Sequence, residues 1–418
     1  MIFRWIRLEK FLNYLLIFLL PTQLALHFWP TSAFVFGIRV DYLAPSIYLT
    51  DVLFISLFIS WLRNNTGKFF TFVRKYKILL LLFLILAVLN TAFSTSIFPS
   101  IFKWIKLTEL VLFIYYIQVR GDVFKSKTLL TTLFYSLILF SVIGILQFSL
   151  GRTLGGPLYL LGERSFDIST PGIALTQILG RSFMRAYSTF SHPNSLAGYL
   201  GLGLLVLIFI YSKKELFKKS LGMMTILAAF ILTFSLSAFV VVATCAILFM
   251  LIHKKLLKID RLIYIPGILL LASLVFLFAS KIIFQNRINL PQNIRQRVEL
   301  SVAAGRMISE RFFWGEGLNT FVVNVQKIRY QATTLWTLQP VHNIFLLIFS
   351  ETGVVGLALF YLFLIKITRK EIVVRNEIFL IALVFILTTG LFDHYWFTLQ
   401  QNMFFGAFIL ANFFRAEG

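Results

Sequence analysis

Pro340-Val341-His342-Asn343-Ile344-Phe345-Leu346-Leu347-Ile348-Phe349-Ser350-Glu351-Thr352-Gly353-Val354-Val355-Gly356 is a polar turn that runs into an apolar helix, and the rest of the chain is read outward from it. The His-Asn pair ends a long arginine-bearing loop, and the residues after it have the composition of a segment that crosses lipid. An imidazole at a helix N-terminus meets a partial positive charge that disfavours imidazolium, so His342 is expected to be neutral and able to accept a proton. It is the candidate general base. The plainer alternative is that His342 and Asn343 only cap the helix.

Hydrophobic residues make up 59% of the 418, with 48 Phe and a mean hydropathy of +0.86, against roughly 45–50% in soluble domains. This composition is that of an integral membrane protein. Lys and Arg outnumber Asp and Glu by 39 to 17, an imbalance that points to nucleic acid, anionic lipid or a phosphorylated substrate. Cys245, the single cysteine, lies in an apolar run, which excludes a disulfide framework or a thiolate metal site.

Apolar windows close to the length needed to cross about 30 Å of hydrocarbon recur at 11–29, 42–62, 77–97, 101–119, 128–150, 193–211, 221–235, 237–253, 262–284, 342–366, 376–394 and 398–414. The expectation is an all-α polytopic membrane protein of about 12 helices. Arg4, Arg7 and Lys10 precede the first window as in a signal peptide, but no small-x-small site follows before Pro30, so it is read as an uncleaved first span. Every second loop is basic, including Lys213/Lys214/Lys218/Lys219 and Lys366/Arg369/Lys370/Arg375, which places both termini inside. Nucleic acid is disfavoured, because topology already accounts for these charges. One membrane domain, 1–418, is expected, without repeats or linkers.

Two long loops, about 151–192 and 285–341, then fall on the outer face and carry Arg rather than Lys: Arg152, Arg164, Arg181 and Arg185 in the first, and Arg287, Arg295, Arg297, Arg306, Arg311 and Arg329 in the second. Arginine is preferred where phosphate or carboxylate is gripped in a bidentate fork. From Asn289 and Pro291 onward, Ile294, Val298, Val302 and Ile308 mark an apolar helix face, opposite Arg295/Glu299 and Arg306/Glu310 with each Arg four residues before a Glu. Arg185 lies shortly before His192-Pro193-Asn194, a second polar cluster opening a span, and Asp393-His394-Tyr395-Trp396 closes another. Tyr395 and Trp396 read as an interfacial belt, with Asp393 and His394 as possible additions to a pocket. Glu351 should face the protein interior, and Lys103, Lys106 and Glu109 should pair with one another.

The chain has no His-Glu-x-x-His, Cys-x-x-Cys or Gly-x-x-x-x-Gly-Lys-Ser/Thr, so zinc hydrolysis and nucleotide-driven transport find no support. The segments Arg185 to Gly198, Gly305-Arg306 to Phe321, and Pro340-Val341-His342-Asn343 with Glu351-x-Gly353-x-x-Gly356 resemble the O-antigen ligase family, whose relatives include O-antigen polymerases and bacterial protein O-oligosaccharyltransferases. The resemblance covers about 185–365. It implies a many-helix fold related to the C-type glycosyltransferases, in the bacterial cytoplasmic (inner) membrane of the cell envelope. It also implies a polyprenyl-diphosphate glycan donor, such as undecaprenyl diphosphate, bound on the outer face by arginines. A histidine would activate the acceptor hydroxyl with no cofactor or metal, in an inverting displacement.

Position by position, His342 matches the catalytic histidine, Arg306 the second-loop arginine and Arg185 the first-loop arginine. Asn343, Glu351, His192, Asn194, Asp393 and His394 are candidate supporting residues. Many members carry a Ser-Arg pair where this chain reads Ser235-Leu236-Ser237. The acceptor, whether lipid core as in lipopolysaccharide, glycan repeat or protein, stays open, as does the oligomeric state. The competing class is a transporter or flippase of the same lipid-linked glycan, for which inverted repeats and a mid-membrane polar site are expected.

Overall fold

A computed structural model describes residues 2–286, 290–328 and 338–414. Arg287, Asn289, Arg329 and Arg415 lie outside the described residues, as do the side chains of Arg4 and Lys327. Helices α1 (Ile2–Phe18), α2 (Leu49–Arg63), α3 (Thr66–Lys75), α4 (Lys77–Ala92), α5 (Ile97–Val119), α6 (Gly121–Phe124) and α7 (Lys127–Leu150) precede the first long loop. After it come α8 (Pro193–Ile210), α9 (Lys213–Lys218), α10 (Ser220–Leu232), α11 (Leu236–His253), α12 (Ile265–Gln285), α13 (Gln292–Glu310) and α14 (Phe321–Ile328). The last group is α15 (Ile344–Val373), α16 (Glu377–Thr389), α17 (Tyr395–Thr398) and α18 (Gln400–Phe413).

The helical, membrane-protein reading is met, and the twelve-span reading only in part. Among the described residues, five helical segments are long and apolar enough to cross a membrane: Lys127–Leu150, Pro193–Ile210, Leu236–His253, Ile259–Gln285 and Ile344–Val373. Lys77–Ala92, Ser220–Leu232 and Glu377–Thr389 are apolar but shorter. At 1.5 Å per residue a 13-residue helix covers only about 20 Å. Helix α5 is long, but Lys103, Lys106 and Glu109 interrupt its apolar character. Leu79, Leu84, Val240, Ile247, Leu271 and Val275 are exposed large hydrophobics, as expected for helix faces turned to lipid.

The 11–29 window is not one helix. Helix α1 ends at Phe18, Pro21 and Pro30 withhold backbone donors, and Ala25–His27 instead pairs antiparallel with Ser46–Tyr48. Helix α2 starts at Leu49, later than the 42–62 window, because the Asp51 carboxylate accepts the Tyr48 backbone N–H at 2.9 Å and fixes the helix start there. The first long loop is non-helical apart from a short 3-10 segment, Gly156–Leu161, and holds a hairpin of Leu175–Ile178 with Arg181–Met184. The second contains α13, which buries Val298, Val302 and Ile308 as expected, together with Leu300, Ala303, Ala304 and Met307; Ile294 stays exposed. Helix α13 packs against α12, α14 and α15.

One group of buried charges is paired across helices. Lys106 Nζ lies 2.5 Å from Asp51 and 2.7 Å from Glu109, and Gln400 donates to the other Asp51 oxygen. The expectation that Lys103 joins this group is corrected: its ammonium donates to the Phe397 carbonyl at 2.6 Å. Carbonyls at the end of a short helix such as α17 lack helical partners and take donors from outside.

Helix α15 is broken at Gly353, where φ is +66°. The 312–317 turn fills the gap, with Val354 N–H donating to Phe312 O (2.8 Å), Glu316 N–H to Ser350 O (2.9 Å) and Gly317 N–H to Glu351 O (3.0 Å). A Cβ at Gly353 would stand 2.1 Å from Phe313 O. Gly353→Ala should therefore cost about 2 kcal/mol or more, read as a lowered thermal midpoint of the purified protein. Gly67→Ala, in α3 with open space around it, should leave the midpoint unchanged or raise it slightly.

Candidate functional site at the head of the broken helix

Asn343 is the cap of α15. Its Oδ1 accepts the backbone N–H groups of Phe345 and Leu346, both at 3.0 Å, and its Nδ2 donates to Ser273 Oγ on α12 at 3.0 Å. His342 takes no part in capping. Its ring is half-buried, and its Nδ1 is buried without a hydrogen-bond partner among the described residues. The Ile344 N–H donates to Gly390 O at 2.8 Å, which ties this helix start to the end of α16. The turn after α16 carries Asp393 and His394.

Asp393 is buried. Its Oδ2 accepts from Asn194 Nδ2 on α8 at 3.0 Å, and its Oδ1 accepts the His394 backbone N–H at 2.8 Å. His394 Nδ1 lies 2.7 Å from Thr398 Oγ1, which itself donates to the His394 carbonyl at 3.1 Å. His394 Nε2 lies 4.0 Å from Asp393 Oδ1. The His342 and His394 rings are 5.4 Å apart, and the Tyr42 ring stands edge-on to His394 at 5.5 Å.

Two arginines are anchored around this carboxylate. Arg185 donates from Nε to Thr233 O (2.5 Å) and from Nη2 to Asn194 Oδ1 (2.8 Å), so the Asn194 amide links Arg185 to Asp393. Arg297 on α13 donates from Nη1 to Phe392 O at 2.8 Å, one residue before Asp393. Sequence reasoning missed Arg297, although it left a signal. Unlike Arg295 and Arg306, Arg297 has no Glu four residues on, since Ser301 stands there, and an unpaired arginine on a salt-bridged helix is the one to suspect.

The other expected residues make different contacts. Arg306 is exposed on α13, nine residues and therefore about two and a half turns beyond Arg297, on the opposite side of the helix. Glu351 is buried and accepts the Phe321 N–H at 3.1 Å, which holds the start of α14. His192 is the exposed N-cap of α8, its Nδ1 accepting from the Asn194 N–H at 3.1 Å, with Pro193 opening the helix as expected. Leu236 is exposed at the start of α11, close in sequence to the Thr233 carbonyl that Arg185 holds.

Burial holds the His342 imidazole well below the ordinary histidine pKa, with Asp393 opposing it, and burial lowers His394 in the same way. Burial pushes the Asp393 carboxyl up, but His342, His394 and His192 when they carry a proton, and Arg297 throughout, outweigh this and keep it below the usual range. The site thus presents neutral imidazoles beside an ionised carboxylate. Donor atoms of His342, Asp393 and His394 lie within 4.8 Å of one another, so by distance they could hold a metal ion. Arg297 and Arg185 act against a cation there. The arrangement is better suited to an anion beside a neutral base.

Residues 221–361, about a third of the chain, match the family model described as O-antigen ligase, which supports assignment to that family. The match includes Arg297, Arg306, His342 and Glu351 and stops short of Arg185, Asn194, Asp393 and His394. No curated protein matches the chain. The geometry makes one contrast measurable: calorimetry with inorganic pyrophosphate on the detergent-solubilised protein should show Arg297→Ala weakening the anion at least about tenfold, the size of a lost charge-assisted bond. Arg306→Ala should change it by less than about threefold, as for exposed charges.

Proposed function

We propose that this chain, assigned to the O-antigen ligase family by its 221–361 segment, is a glycosyltransferase that moves a glycan from a polyprenyl-diphosphate donor to an acceptor hydroxyl. The reading rests on one observation: a half-buried imidazole without a partner at Nδ1 among the described residues, a buried carboxylate and two anchored guanidinium groups converge where α8, α13, α15 and the α16–α17 turn meet. The site is placed on the outer face of the cytoplasmic membrane, following the alternation of basic loops. Its acceptor is a lipid, a glycan repeat or a protein.

In this mechanism the bond between the anomeric carbon and the diphosphate oxygen breaks as the acceptor oxygen forms a bond to the same carbon from the opposite side. His342 takes the hydroxyl proton, and Asp393 stabilises the imidazolium that results. Charge gathers on the departing diphosphate, where Arg297 and Arg185 neutralise it. Arg306, exposed further along α13, is a candidate contact for the outer part of the donor. The anomeric configuration inverts. The donor carries its own energy, so the transfer needs no nucleotide.

Purified protein with a defined polyprenyl-diphosphate oligosaccharide tests the reading, a new glycosidic linkage supporting it and translocation alone overturning it. His342→Ala and His342→Asn should each lose transfer by at least about a hundredfold, the range for a general base, while the thermal midpoint holds because Asn343 supplies the cap. The sign with pH follows from the lowered imidazole pKa: the neutral base is present above that pKa and lost below it. The acid limb of kcat/KM should accordingly lie below about 6.5, the ordinary histidine value.

A further inference from the structure

Away from this site, between α12 and α15, a groove of about 400 Å³ opens on the side of the bundle. Tyr264, Gly267 and Leu271 form one wall, and Tyr361, Ile365 and Arg369 the other. The α15 residues follow one another every four positions, a stripe along the helix about 12 Å long. Gly267 lets the two walls meet at the floor of the groove: the Tyr361 hydroxyl packs directly on it, where a Cβ would stand 2.6 Å away. Both helices belong to segments able to span a membrane, so the groove opens to lipid rather than to water.

The groove is apolar along its length and basic at one end. Arg369 is exposed and has no ion-pair partner among the described residues. The same end of the bundle carries Arg261 and Lys258 beside α12 and Lys366 on α15, against Asp260 as the one acid of the Ile259–Tyr264 turn. An exposed tyrosine, Tyr264, adds a hydroxyl at the same level. An occupant must match an apolar stripe that ends in a bare guanidinium, and that is the chemistry of a phospholipid with one acyl chain in the groove and an anionic headgroup at Arg369.

We propose that the α12–α15 groove is a binding site for one anionic phospholipid, held by its acyl chain against Leu271 and Ile365 above the Gly267–Tyr361 contact and by its phosphate at Arg369. Helix α12 also holds Asn343 through Ser273, so the lipid fills space between two helices that position the residue next to His342. Lipid binding itself does not depend on the transferase reading, and its test uses no activity assay.

The full chain, reconstituted in nanodiscs of phosphatidylglycerol and phosphatidylcholine mixed equally, is released into a native mass spectrometer and its retained lipid counted. Phosphatidylglycerol should be retained over phosphatidylcholine by roughly fivefold, the worth of one basic residue at an anionic surface. Arg369→Gln should abolish the preference, and Gly267→Leu should reduce total retention by displacing the Tyr361 ring into the groove. Arg375→Gln, which lies outside the groove, should leave both unchanged. Equal retention of the two lipids by the parent chain, or a preference that survives Arg369→Gln, would mean an annular lipid only and overturn the proposal.

Discussion

A buried carboxylate with no direct ion-pair partner in hydrogen-bond reach among the described residues is the constraint around which this bundle is arranged. Asp393 sits where water is scarce, and an isolated charge in such a place is costly unless its oxygens find donors. Helix α8 supplies the Asn194 amide and the chain itself supplies the His394 N–H. The neighbouring Phe392 carbonyl then recruits Arg297 from α13, and Asn194 recruits Arg185 from the first long loop. Segments far apart in sequence are drawn to one point because one negative charge must be stabilised there.

The same physics organises the interior below. Asp51, Lys106 and Glu109 form a compact ionic group to which Gln400 adds a donor, and Asn90 donates to the Trp314 and Glu351 carbonyls while accepting from Trp104 and Leu318. Breaking such a group by removing one partner leaves a charge or carbonyl unsatisfied, which is far more damaging than the net worth of the bonds. These contacts tie α2, α4, α5 and α18 together. They also explain why α5 tolerates Lys106 and Glu109 within an otherwise apolar helix.

Much of this was legible in sequence where local chemistry decides the outcome. The polar turn at His342-Asn343, the proline-led start of α8, the apolar face of α13 and the inward placement of Glu351 all follow from rules that act over a few residues, and the structure has each of them. What failed did so for long-range reasons. Lys103 was expected to pair within its own helix but finds the Phe397 carbonyl, 294 positions away. The 11–29 window has the hydropathy of a span, yet the pairing of Ala25–His27 with Ser46–Tyr48 takes its second half into a strand. That Arg297 and not Arg306 reaches the Phe392 carbonyl was likewise illegible, because helical rotation, which a motif does not record, decides which side chain meets it.

The preference for arginine in the two long loops acquires a physical account from these contacts. Arg185 commits its Nε and one Nη2 donor to Thr233 and Asn194, and Arg297 commits one Nη1 donor to Phe392. A guanidinium has five N–H donors in a rigid plane, so each side chain is fixed by the protein and still has donors left for an incoming anion. A lysine ammonium anchored in the same way would have fewer donors left, and those would turn with the flexible stem rather than hold a plane. Pre-ordered donors matter most where negative charge develops during a reaction, because reorienting them at that moment would add to the barrier. Anchoring arginines to backbone carbonyls and an amide, rather than directly to acids, orders them without a carboxylate taking up the rest of the fork. The proposed contact with a diphosphate would draw on those remaining donors.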